Sequence, residues 1–343
     1  MSTTPVKDAT LTPNGKPLLS VRDLRVQYMT ARAPVRAVDG VSFDIAPGEV
    51  LGLAGESGSG KSTVAQALLR ILNPPAVIAG GTIDFQGRDI LAMSDRELEQ
   101  FRWQDLSMVF QSAMNALNPV MTVEDQIIDT ILSHRAMNET RARKRARELF
   151  EIVGIDPSRL HSYPHELSGG MRQRAVIAIA LALQPPMMIM DEPTTALDVV
   201  VQKEIMQQIE DLKNEMGFSI LFITHDLSLL VEVSDRIAIM YAGQIVELAP
   251  ARELYERPLH PYTQGLLNSF PALTGPKERV TGIPGSPPDM AAPPSGCRFH
   301  PRCSKVRGFH ARLVPPLTEV EPGHFVACHL YTSPDGPPDG GPG

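Results

Sequence analysis

The stretch Gly55-Glu56-Ser57-Gly58-Ser59-Gly60-Lys61-Ser62 follows an apolar run, Val50-Leu51-Gly52-Leu53-Ala54, and precedes a run of helical character from Ala65 to Leu72. It fits G-x-x-x-x-G-K-[ST] at every fixed position. Strand, glycine-rich loop and helix in that order constrain the chain to an α/β core built around a phosphate-binding loop. In such a P-loop the backbone N–H groups of the turn and of the helix N-terminus wrap a β-phosphate. Lys61 then reaches the β- and γ-phosphates, and the Ser62 hydroxyl ligates Mg²⁺. Gly55, Ser57, Gly58, Ser59, Gly60, Lys61, Ser62 and Thr63 are therefore candidate contacts to ATP.

A second glycine-rich motif, Leu167-Ser168-Gly169-Gly170-Met171, runs into Arg172-Gln173-Arg174. Further on, Met187-Met188-Ile189-Met190-Asp191-Glu192 has the form of a Walker B strand, an apolar run that delivers two carboxylates at its end. In-line attack of water on a γ-phosphate needs a group to orient and deprotonate that water. Glu192 has the chemistry for it, and its plainer reading is a helix-capping or surface acid. Gln111 ends the strand Leu106–Phe110, His225 follows the strand Ser219–Thr224, and Asp198 closes Ala196-Leu197-Asp198. Tyr28 ends the first strand, where its ring either stacks on a base or packs in the core.

Composition narrows the partners. Of 343 residues 43% are hydrophobic, enough for a sizeable core, and the net charge of -7 argues against a nucleic-acid partner. The basic run Arg141-Ala142-Arg143-Lys144-Arg145-Ala146-Arg147 sits among good helix formers and reads as a solvated helix face. Met1 to Pro17 is polar, unlike a signal peptide, and no stretch approaches the roughly 18–20 apolar residues of a membrane span. The longest candidate, Ala175 to Leu183, reads as a buried helix. Three cysteines do not suggest a disulfide scaffold and fit a reducing cytosol.

From Leu18 to about Ala249, β-rich runs alternate with helical ones. Strands are expected at Leu18–Tyr28, Val41–Ile45, Glu49–Ala54, Leu106–Phe110, Met187–Met190, Ser219–Thr224, Arg236–Tyr241 and Gln244–Glu247. Val123–Leu132 and Glu139–Ile152 are helical in period with no strand between them, which suggests a helical insertion. From Pro258 onward lie 17 of the 31 prolines and all three cysteines. That composition points to loops rather than more sheet. The expected organisation is a disordered N-terminus over 1–17, an ATPase domain over 18–257 with a helical subdomain at about 112–167, a C-terminal domain over 258–332, and a disordered tail over 333–343.

Together the two glycine-rich motifs resemble the ATP-binding subunit of an ABC transporter. The resemblance implies a P-loop ABC ATPase core with a helical insertion subdomain and a loop-rich C-terminal extension. It implies that Glu192 is the general base, that Gln111 is the Q-loop glutamine sensing γ-phosphate and Mg²⁺, and that His225 is the switch histidine. Mg²⁺ falls to Ser62, Gln111 and, from the second coordination sphere, Asp191. Asp198 belongs to the D-loop, and Tyr28 takes the place of the adenine-stacking aromatic ring. Leu-Ser-Gly-Gly-Met departs from the usual signature, Met171 standing for glutamine. Ser168, Gly169 and Gly170 would contact ATP held by the opposite subunit, so the active unit is expected to be a dimer of ATPase subunits.

Beyond the core, Pro258-Leu259-His260-Pro261-Tyr262-Thr263, Gly282-Ile283-Pro284-Gly285-Ser286-Pro287-Pro288 and Gly296-Cys297-Arg298-Phe299-His300-Pro301-Arg302-Cys303 resemble the oligopeptide/dipeptide importer family, which also handles nickel complexes and oligosaccharides. The implied partners are two membrane permease subunits, a second ATPase subunit, identical or paralogous, and an extracytoplasmic substrate-binding protein. The implied place is the cytoplasmic face of the cell membrane. Peptide is the leading cargo, with oligosaccharide and nickel behind it. A cytosolic, non-transport ABC ATPase is the rival from another class, but no tandem core or long coiled-coil arm is visible. The family's tail usually has four cysteines thought to hold an iron–sulfur cluster. Here Cys297, Cys303 and Cys328 remain, with His310 where the other should be, which leaves a [4Fe–4S] cluster, a zinc site or three ordinary thiols open.

Overall fold

Strands at Val50–Ala54, Met187–Asp191, Ser219–Ile223 and Arg236–Tyr241 are buried at every residue, as parallel strands covered on both faces must be. The computed structural model describes residues 15–111, 116–134, 137–194, 198–269 and 282–332. Outside the described residues lie 1–14 of the expected N-terminal tail, 112–115 after Gln111, Ala196 and Leu197 of the Ala-Leu-Asp motif, and the tail 333–343.

In chain order the elements begin β1 (Leu19–Tyr28), β2 (Val35–Ile45), β3 (Val50–Ala54), α1 (Lys61–Leu68), β4 (Ala76–Phe85) and β5 (Arg88–Asp89). Next come α2 (Asp95–Gln104), β6 (Leu106–Val109), α3 (Val123–Ser133), α4 (Glu139–Ile152), α5 (Gly169–Ala180), β7 (Met187–Asp191), α6 (Val199–Met216) and β8 (Ser219–Ile223). The chain continues with α7 (Leu227–Val233), β9 (Arg236–Tyr241), β10 (Gln244–Pro250), α8 (Ala251–Glu256), α9 (Pro261–Leu267), β11 (Thr318–Glu321), β12 (His324–Val326) and α10 (His329–Thr332).

Two units divide the described residues. The first draws on the described residues within 15–46, 51–91, 224–269 and 282–332. It holds an antiparallel sheet ordered β2-β1-β4-β5 and a run of strands ordered β11-β12-β10-β9-β3. Leu51 to Ala54 of β3 run parallel to Arg236 to Ile239 of β9, which supports the start of the P-loop from behind. Asp44, wholly buried, takes both nitrogens of the Arg22 fork at 2.6 and 2.8 Å, so burial of this carboxylate is matched by a bidentate partner.

The second unit takes 47–50 and 92–223. Its parallel strands run β8-β7-β6, in register from Met187 opposite both Leu106 and Ser219. Side-chain caps start its helices. Ser94 and Glu97 form a reciprocal capping box on α2, Thr122 caps α3 through Asp125 N, and Asn138 caps α4 through Arg141 N at 3.0 Å. Ala142, Ala146, Leu149 and Phe150 form the buried stripe of α4, one face of a 3.6-residue period. Arg141, Arg143 and Lys144 of the basic run are exposed on it, and Arg143 pairs with Glu139 at 2.9 Å one turn back.

The structure departs from the sequence reading in three places. β2 begins at Val35 rather than Val41; its first half is a half-exposed edge carrying Arg36, Asp39 and Gly40, so it lacks the apolar signal. β4 was not anticipated, because it follows Pro74-Pro75, contains Gly80-Gly81 and buries few side chains. The proline-rich C-terminal stretch does add sheet. The hairpin of β11 and β12 pairs with β10, Glu247 opposite Val326 and Leu248 opposite Phe325, and strands this short leave no periodicity to read.

Where this stretch starts, His260 is buried and caps α9, its Nδ1 accepting from Tyr262 N at 3.0 Å. Burial lowers its pKa from 6.5 to about 4, against a smaller opposing effect of Glu247. The unfolded chain therefore binds the proton first, and stability falls as pH drops from about 6.5 to 4, by about 3 kcal/mol in all. Urea unfolding across that window should show this slope. His260→Asn, which keeps a capping oxygen, should flatten it, and an unchanged slope would refute the assignment.

Candidate functional site

The P-loop is shaped by two glycines that no other residue could replace. Gly55 has φ +148, and a Cβ there would lie 2.2 Å from Met240 O; Gly60, the N-cap of α1, has φ +106, and its Cβ would meet Ala37 O at 2.2 Å. Ser59 N donates to Glu56 O at 3.2 Å and Gly243 N donates to Ser59 O at 2.9 Å, so the loop is braced from inside and outside. Lys61 opens α1 and folds back over the turn. Its Nζ donates to Gly55 O at 2.8 Å, Glu56 O at 3.0 Å and Ser59 Oγ at 3.4 Å. The ammonium is thus fixed above the loop, with Ser62 and Thr63 next along the helix.

Tyr28 ends β1 with its hydroxyl 3.4 Å from Thr63 Oγ1, so the candidate stacking ring sits beside the first turn of α1. Thr224 N donates to Leu53 O at 3.4 Å, which sets exposed His225 just beyond the end of β3, and Asp226 then caps α7. Tyr28, Gly55 to Thr63 and His225 all belong to the first unit.

In the second unit Asp191 is the last residue of β7 and is buried, while Glu192 turns out of the strand at φ +48. That conformation is costly for a side chain with a Cβ and persists where the surroundings hold it. Here Glu192 N donates to Ile223 O at 2.8 Å and Gln111 Nε2 donates to Glu192 Oε2 at 3.0 Å. Two candidates separated by 81 residues are thereby joined. Ser168 caps α5, accepting from Met171 N at 3.3 Å, and Asp198 caps α6, accepting from Val200 N and Val201 N at 3.1 and 3.0 Å. A Cβ on Gly170 would lie 2.9 Å from Val201 Cγ1, so α5 and α6 meet where the two motifs begin.

Sequence reasoning missed the support behind the P-loop. Glu56, a variable position of the motif, accepts both guanidinium nitrogens of Arg302 at 2.7 and 2.9 Å, and Glu56 N donates to Tyr262 Oη at 2.9 Å. The fork to Glu56 raises the Arg302 pKa, and burial raises those of Tyr241 and Tyr262, so this network is charged at Arg302 and neutral at both phenols. Tyr241, Tyr262 and Phe299 pack around it with ring centroids 4.6 to 5.4 Å apart. Pro258-Leu259-His260-Pro261-Tyr262 and Phe299-His300-Pro301-Arg302 carry the family resemblance, but nothing local in them points to Glu56.

The cysteine set is less tightly drawn. Burial raises the pKa of Cys297 and of Cys303, and burial together with the other two thiols pushes Cys328 up to about 12. Cys297 N donates to His310 O at 2.8 Å, while His310 Nδ1 accepts from Arg307 N at 3.2 Å and its ring stacks on His329. Among the described residues, no three of Cys297, Cys303, His310 and Cys328 bring ligand atoms within 4.8 Å of one another. No helix among the described residues is long and apolar enough to cross a membrane.

Residues 38–195 match the ABC transporter family model, and 246–308 match the oligopeptide/dipeptide transporter C-terminal region. The chain is 44% identical over 324 residues to the oligopeptide transport ATP-binding protein OppD of Bacillus subtilis (strain 168), covering 93% of this chain and 90% of that one. It is 42% identical to OppD of Escherichia coli (strain K12), covering 91% and 92%. Among solved structures it is similar to a dimeric ATP-binding cassette in a post-hydrolysis state with bound ADP and Pi, at 29% identity and a TM-score of 0.61, over 68% of this chain and 99% of that one. The chain is an ABC-type ATPase, and it belongs to the oligopeptide/dipeptide transporter family of ATP-binding subunits.

Proposed function

We propose that this chain powers the import of oligopeptides or dipeptides from the cytoplasmic face of the membrane. It would work with two permease subunits, a second ATPase subunit and an extracytoplasmic substrate-binding protein. The observation that carries the reading is the joint presence of an ATPase-core match and the oligopeptide/dipeptide C-terminal match in one chain, similar over nearly its whole length to proteins named for that transport. The ATPase domain would take 18–257, with its helical subdomain at about 112–167, and the importer-type C-terminal domain 258–332.

For hydrolysis, the braced P-loop amides and Lys61 would hold the phosphates, and Tyr28 the adenine. Glu192, oriented by Gln111, would take the proton of the attacking water as the oxygen bonds to the γ-phosphorus and the bond to ADP breaks. His225 would contact the γ-phosphate. Ser62, Gln111 and Asp191 would hold Mg²⁺, which supplies charge neutralisation on the phosphate oxygens. Ser168, Gly169, Gly170 and Asp198 would face ATP on the partner subunit, each at the start of a helix whose N–H groups favour an anion.

Cys297, Cys303, Cys328 and His310 would be the ligands of a [4Fe–4S] cluster, the reading supported by the resemblance of this segment to the family's cysteine-bearing tail, with a zinc site and three ordinary thiols as the alternatives. Half-buried Cys297 and Cys303 and buried Cys328, all with raised pKa values, stay protonated unless a metal ionises them. Iron and sulfide absent from anaerobically purified protein would overturn this part. For cargo, the test is ATPase activity of the reconstituted importer with its binding protein loaded in turn with peptides, oligosaccharides or nickel complexes. Stimulation by peptides is expected; stimulation by a sugar or nickel complex and not by peptide would refute the cargo.

A further inference from the structure

Three ligand-bearing side chains converge between helix α8 and the β11–β12 hairpin. Ligand atoms of Glu253, Glu321 and His324 lie within 4.8 Å of one another. Glu253 is exposed, Glu321 half-buried and His324 wholly buried. Carboxylates grouped near a surface say little alone; the histidine says more. Its Nε2 is 2.8 Å from Glu247 Oε1, and its Nδ1 is buried with no hydrogen-bond partner.

Glu247 is itself wholly buried and accepts from Leu259 N at 2.7 Å and His260 N at 2.9 Å. An ionised carboxylate only accepts, so the His324 proton sits on Nε2 and is donated to Glu247. The neutral ring then carries a lone pair on Nδ1 that meets no donor. The imidazolium fares no better, since its second N–H meets no acceptor at hydrogen-bond distance. A buried polar atom left in either condition is rare and costly. A carboxylate that fixes one ring nitrogen while the other is left without a partner, in a ring grouped with further acidic side chains, is the arrangement metal-bound histidines use.

We propose that Glu253, Glu321 and His324 bind a divalent transition-metal ion of the zinc class, with Glu247 as the positioning carboxylate. One imidazole nitrogen with carboxylate oxygens suits zinc rather than calcium or magnesium, which take oxygen donors. Arg257 pairs with Glu321 Oε2, so Glu321 would offer its other oxygen. The ion would tie α8 to the hairpin, and it is separate from the cysteine set.

The test is titration of the full-length chain, stripped with chelator, against Zn²⁺ and Co²⁺, alongside Glu253→Gln and Glu321→Gln. Both positions retain solvent access, so both variants should fold. Expected are Co²⁺ d–d bands without thiolate charge transfer, a Zn²⁺-dependent rise in thermal midpoint, and affinity about tenfold or more lower in each variant. Equal affinity in the variants, Co²⁺ bands of thiolate type alone, or no uptake at a molar excess of ion would each overturn the site.

Discussion

Replacing Glu192 with glutamine is expected to cut the ATP turnover rate by about 10²–10⁴-fold, the usual range for losing a positioned base. The substitution is nearly isosteric. Glu192 N stays tied to Ile223 O, and the new amide oxygen can still accept from Gln111 Nε2, so geometry is kept while basicity is lost. Nucleotide affinity should change little. Gln111→Ala should give a smaller loss, because it frees the orientation of Glu192 without removing its charge. Single-turnover hydrolysis with independently measured ATP binding checks both, and a Glu192→Gln chain hydrolysing within a few-fold of wild type would remove Glu192 from the role.

Arg302→Ala is expected to destabilise the chain by about 2–3 kcal/mol and to raise the KM for ATP, since a bidentate, charge-assisted pair is lost. Arg302 is 5% exposed and Glu56 25%, so water can reach part of the abandoned carboxylate, which keeps the cost below that of a fully buried charge. The effect on KM follows from place: Glu56 lies inside the phosphate-binding turn, and its carbonyl also takes Lys61 Nζ. Arg302→Lys keeps the charge but loses the fork, and should fall between the two. Urea unfolding and ATP saturation curves measure the pair of effects; if neither moved, the contact would be incidental.

What the sequence made legible was whatever is local or strictly periodic. The P-loop is eight consecutive residues with glycines forced by backbone approach, and β7 is an unbroken apolar run ending in two carboxylates. Gln111 and Glu192 could be suspected separately, by their positions after strands, but not their contact across 81 residues. The Glu56–Arg302 pair spans 246 residues and follows no period, so only the fold reveals it. β4 was hidden by its glycine pair and half-exposed face, and β11 and β12 by their shortness. Nothing local in the sequence marks His324, because its meaning rests on Glu247, 77 positions earlier.

The C-terminal hairpin has a consequence for colloidal behaviour. It covers β10, whose Ile245 to Ala249 are all buried, and Ala327 N adds a bond to Val246 O at 2.9 Å beyond the β12 pairing. With the hairpin gone, β10 would present a row of open N–H and C=O groups along an apolar strand, the template on which separate chains stack edge to edge. Leu259, Val326 and Cys328, which form one small buried cluster, would be opened by the same loss. Keeping the β10 edge from pairing with other chains therefore falls to the short β11–β12 hairpin, which the chemistry of ATP does not itself require.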